Sequence, residues 1–90
     1  MGAGLVRLMH TPFAVGVNTT VSITGDNIGG FLCVTSGTIT VVGTTDQGAN
    51  VTWINAMPVT AGTWYFMPFY IGPRNGSVTT AGGASGVLAT

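Results

Sequence analysis

Lys and Glu do not occur in this 90-residue chain, and its only ionised side chains are Arg7, Arg74, Asp26 and Asp46. Charged residues make up 4% of the sequence, where about 25% is ordinary. Two cations cannot form the basic stripe that follows a phosphate backbone, so nucleic acid is not an expected partner. Without Lys, Glu or a cluster of His, the chain has little material for acid–base catalysis or a metal centre. His10 is the one imidazole; no nucleophile stands near it in a catalytic arrangement, and it reads as a surface or contact residue. The expectation is a protein with no catalytic residue, no metal and no cofactor.

Other scarcities narrow the class further. The single cysteine, Cys33, cannot close an internal disulfide, which fits a reducing cytosol. It alternates with Phe31 in an apolar stretch and is expected as a core thiol. No apolar run reaches the 18 or so residues of a membrane-spanning helix, and residues 1–12 lack the continuous apolar stretch of a signal peptide. A soluble, unprocessed chain with no membrane partner is therefore expected. Asp26 and Asp46 sit in turns rich in Gly and Asn, where a short acceptor caps backbone N–H groups; two isolated carboxylates fall short of a calcium site. The segment Gly25 to Gly30 has no Lys or following helix to cradle a phosphate and reads as a turn.

What the chain does contain is apolar and β-branched. Hydrophobic residues account for 46% and the formal net charge is zero, so little repulsion would hold copies apart. Scattered over roughly 4,900 Å² of folded surface, four charges leave wide areas that another protein can cover without desolvating an ion. This composition points to an assembly subunit.

Thr, Val and Gly favour strands and turns over helices, and turn residues recur at the spacing of an all-β fold. Alternation from Gly16 to Thr24 places Val17, Thr19, Val21 and Ile23 on one face. Phe31–Thr35 and Thr38–Val42 flank Ser36-Gly37 and are predicted to form a hairpin with Ile39 and Val41 inward. A second hairpin is predicted across Asp46 to Asn50, and Pro58 is expected to interrupt the strand after it. Thr63 to Phe69 is the most apolar segment, with Trp64 and Phe66 on one face and Tyr65, Met67 and Phe69 on the other. Both faces of that strand call for burial, so one aromatic set is expected against a partner. Short strands at Ser77–Thr80 and Gly86–Thr90 follow. The predicted fold is one small antiparallel β-sandwich, jelly-roll or immunoglobulin-like, of about six to eight strands. It occupies residues 14–90, with residues 1–13 as an N-terminal arm or edge strand.

Three stretches resemble small β-rich virion proteins of tailed bacteriophages, of the head-decoration or capsid spike-base type. They are Gly30 to Val41, with the Ser36-Gly37 turn and the strand Thr38-Ile39-Thr40-Val41; Met57 to Phe69, with the lead-in Pro58-Val59-Thr60-Ala61-Gly62 and the end Met67-Pro68-Phe69; and Thr80 to Leu88, with Ala81-Gly82-Gly83-Ala84-Ser85-Gly86. The likeness covers about two thirds of the chain, from Gly30 onward, and carries no diagnostic chemical motif. It implies a non-enzymatic cement subunit on the capsid exterior, made in the bacterial host cytoplasm, that stabilises the head by bridging capsomers. Its partners would be the major capsid protein and copies of itself, as a trimer rather than a pentamer.

The candidate interface comprises Leu5, Val6, Leu8 and Met9 of the N-terminal segment with Trp64, Tyr65, Phe66, Met67 and Phe69. Alternative readings are a spike-base or tail-adaptor subunit, a carbohydrate-binding module stacking sugars on Trp53, Trp64, Tyr65 and Tyr70, and a β-fibre subunit built on its uncharged strands.

Overall fold

A computed structural model describes residues 12–24, 27–45, 47–71 and 75–89. These form eight strands and no helix: β1 (Pro12–Val15), β2 (Thr20–Thr24), β3 (Asn27–Thr35), β4 (Gly37–Thr44), β5 (Asn50–Val59), β6 (Trp64–Tyr70), β7 (Asn75–Ala81) and β8 (Ser85–Ala89). They build two four-stranded antiparallel sheets, sheet I in the order β1-β8-β3-β6 and sheet II in the order β2-β7-β4-β5. The chain changes sheet at every connection except β4 to β5. β1 straddles the boundary expected at residues 13 and 14.

The two sheets share one core. Sheet I contributes Val15, Ile28, Phe31, Cys33, Met67 and Leu88, and sheet II contributes Ile23, Ile39, Val41, Val59 and Val78, all buried. Each of the Val, Ile, Leu, Phe and Met side chains among them stabilises by about 1.5–3 kcal/mol on burial. Ile39 and Val41 point inward as their alternation predicts. Cys33 is buried among them; its thiol lies 3.0 Å from the Thr35 carbonyl, and burial pushes its pKa up.

Several sequence expectations are corrected here. Ser36-Gly37 does not turn a hairpin, because β3 lies in sheet I and β4 in sheet II. The dipeptide carries the chain across the core instead, held where the Ala61 N–H donates to Ser36 Oγ at 2.9 Å. Val17 is 54% exposed and outside β2, since Asn18 adopts a left-handed turn conformation with φ of 48° that breaks the alternation before Thr20. Pro58 lies within β5, which its missing N–H permits because β5 is an edge strand. Asn27 to Gly30 belong to β3 rather than to a turn. The β4–β5 hairpin matches its prediction: Thr44 pairs with Asn50, and Gly48, at φ of 86°, supplies the positive dihedral that its turn requires.

Two buried threonines tie their strands to connecting segments through their hydroxyls. Thr80 Oγ1 donates to the Gly16 carbonyl at 2.7 Å and accepts from the Thr19 N–H at 3.0 Å, fixing the β1–β2 turn to β7. Thr44 Oγ1 donates to the Ile71 carbonyl at 3.0 Å. Among the described residues no buried side-chain polar atom lacks a partner.

Candidate functional site

The two sheets present different chemistry to the outside. On sheet II the outward rows are hydroxyl-rich. Thr20 pairs with Thr79, which lies beside Thr40, and the Thr20 and Thr79 hydroxyls are 2.9 Å apart. Ser22, Ser77, Val42 and Thr52 form the next row. Alternation of polar outside and apolar inside is what a strand facing water on one side requires.

Sheet I departs from that rule. Its registers align two outward rows across all four strands. One row is Ala14, Val87, Leu32 and Trp64; the other is Pro12, Ala89, Gly30 and Phe66. Every member is apolar. Leu32 is 42% exposed, Val34 beyond it 55%, Trp64 52% and Phe66 75%. The Trp64 ring lies over Gly30, where an added Cβ would run into the indole and the Tyr65 carbonyl, so glycine is what allows the ring to lie on the strand. Beside it opens a shallow hollow of about 290 Å³, lined by Pro12, Leu32, Trp64, Val87, Leu88 and Ala89. A contiguous apolar patch larger than a few hundred Å² is rare on a monomeric protein and marks an interaction surface.

The residues singled out on β6 divide between two roles. Trp64 and Phe66 stand on the outward face. Tyr65 and Phe69 turn inward and are half-buried, the Tyr65 hydroxyl accepting from the Thr60 N–H at 2.8 Å. Phe69 stacks against Trp53 of β5 with ring centroids 5.5 Å apart and planes within 2°, joining the edges of the two sheets. Met67 is 2% exposed; it is a core side chain, because period-2 alternation directs it away from Trp64 and Phe66, and it has no surface to offer a partner. Leu5, Val6, Leu8 and Met9 lie outside the described residues, as do His10 and all four charged residues.

Sequence reasoning missed Leu32, Val34, Val87, Ala89, Pro12 and Ala14 as members of this surface. A signal was present in β3, where Leu32 and Val34 alternate with Phe31 and Cys33 and leave no polar face until Thr35. Among the described residues no group of three His, Cys, Asp or Glu side chains could hold a metal ion. The surface offers apolar area and aromatic faces, which suit association. Comparison with family models, with curated proteins and with solved structures found no match.

Proposed function

We propose that this protein is a non-enzymatic structural subunit of a tailed-phage virion, a decoration or cement subunit on the capsid exterior that bridges capsomers and assembles with copies of itself. One observation carries the reading: two outward rows of sheet I are apolar across all four strands, and none of their eight residues is charged. Such a face is costly in water and favourable only when covered. The mechanism is geometric. Apolar contact repeated over many copies adds binding free energy across joints between capsomers, and the likeness of the stretches from Gly30 onward to phage virion proteins supplies the setting.

A β-sandwich of the jelly-roll type is the fold we infer. The orders β1-β8-β3-β6 and β2-β7-β4-β5, with one within-sheet hairpin, support it over the immunoglobulin-like alternative, whose sheets group strands ABED and CFG. Jelly rolls serve in viral capsids and in lectins, so the fold is compatible with the virion reading by analogy alone.

Trp64 on an open face favours a second reading, a carbohydrate-binding module. Purification of intact particles separates the two. A virion subunit remains with the particles at a copy number commensurate with an icosahedral shell, whereas a module binds a glycan array as the isolated chain. Absence from particles, or stoichiometry unrelated to the shell, overturns the virion reading.

A further inference from the structure

We infer that the outward face of sheet I is covered by the same face of a second copy, in a twofold dimer where Phe66 of each chain enters the hollow of the other. The inference rests on the assembly reading of this face but not on the virion.

Self-complementarity is the first argument. Phe66 is the most exposed large hydrophobic side chain among the described residues, at 75%, and it stands on edge strand β6 at one side of the face. The hollow reaches Pro12 and Ala89 on β1 and β8, toward the other side. Pro12, Ala89, Gly30 and Phe66 lie in one cross-strand row. A half-turn about an axis lying in the face, parallel to the strands and between β8 and β3, keeps that row in register while exchanging its ends. It therefore sets each Phe66 over the partner's Pro12, next to Ala89, which lies opposite Gly30. The same operation lays Trp64 over the partner's Ala14 and Leu32 over its Val87, all in one row. A hollow of about 290 Å³ accommodates a phenyl ring, since a buried cavity of about 150 Å³ takes up benzene.

Area is the second argument. Counting exposed aromatic and aliphatic side chains at their usual sizes, the face offers roughly 500 Å² of apolar surface per copy, and two copies bury about 1,000 Å², the lower bound for a specific interface. Charge is the third. In a twofold contact the patch meets itself, so any charge near the axis would face its own kind; the eight residues of the two rows carry none. Knob and hollow share one face. A threefold ring would need them on different flanks, so this contact closes as a pair.

The test uses the purified full chain. Sedimentation equilibrium at about 100 µM, a concentration that populates micromolar complexes, is expected to give twice the 9.1 kDa chain mass. Phe66→Asp and Ala89→Lys each convert the dimer to monomer, raising the dissociation constant about 100-fold or more because both symmetry-related contacts are lost together. Mixing the two variants restores a heterodimer, in which one contact is native and the other pairs Asp with Lys. Phe66→Ser, which removes an exposed ring and leaves the core untouched, is the companion variant should either charged one fail to fold by circular dichroism. A wild-type monomer, a trimer, an oligomer indifferent to these substitutions, or two weakened variants that do not rescue each other would overturn the inference. A dimer that does not bind particles would sink the virion reading alone, and a monomer that decorates particles would sink this one alone.

Discussion

The indole of Trp64 lies against the backbone of Gly30 on the neighbouring strand, close enough that no side chain fits between them. This contact shapes the wall of the apolar hollow and leaves Trp64 half exposed beside it. Gly30→Ala is expected to lift the ring from its seat, with an overpacking cost of about 1–3 kcal/mol. Urea denaturation followed by tryptophan fluorescence measures both effects; unchanged stability and emission would show that the ring does not rest there.

Thr80 ties the β1–β2 turn to β7 through the Gly16 carbonyl and the Thr19 N–H. Thr80→Val keeps the shape and removes the hydroxyl, leaving backbone groups unsatisfied at a cost of about 1–3 kcal/mol. Thr80→Ser retains the hydroxyl and is expected to lose less. Equal losses in thermal or chemical melts would assign the effect to packing.

Burial raises the Cys33 pKa above its ordinary value of 9.0. The folded state therefore keeps its proton at pH values where the unfolded chain has released it. By linkage, this contribution is fully present below about pH 9 and is lost as pH rises from there through the raised folded value. Stability is expected to fall above that point. Cys33→Ala, less stable at neutral pH, is expected to show a shallower decline; identical slopes would contradict the assignment.

Attachment to particles is expected to be nearly indifferent to salt. Raising ionic strength from 0.1 to 1 M shortens the reach of exposed charges from about 10 to about 3 Å, and exposed ion pairs contribute only about 0–1 kcal/mol. Sulfate is expected to tighten the contact and urea to release it. Washed particles analysed by gel densitometry provide the measurement, and release by 1 M sodium chloride alone would assign the affinity to charge.

Leu5, Val6, Leu8 and Met9 are proposed to contribute to capsid attachment. Deleting residues 2–9 is expected to leave the sheets intact by circular dichroism while removing the protein from particles. Unfolding of the truncated chain would make the segment part of the core.

Alternation alone was enough to sort side chains within a strand. Ile39 and Val41 share a face, as do Trp64 and Phe66 opposite Met67, because successive side chains in a strand point to opposite sides. The abundance of Thr and Val likewise made an all-β fold legible without coordinates. What alternation cannot say is which face becomes the inside when both are apolar. In β3 and β6 that choice came from strand neighbours: Phe31 pairs with Leu88 and Tyr65 on the core side, leaving Leu32, Val87 and Trp64 together outside. Nor could Ser36-Gly37 reveal that it crosses between sheets, since a short turn within a sheet and one between sheets use the same residues. Residues as far apart as Pro12, Gly30, Phe66 and Ala89 form one row only because four strands distant in sequence pair in that order. Local propensity determined the strands, and long-range pairing determined the surface they make.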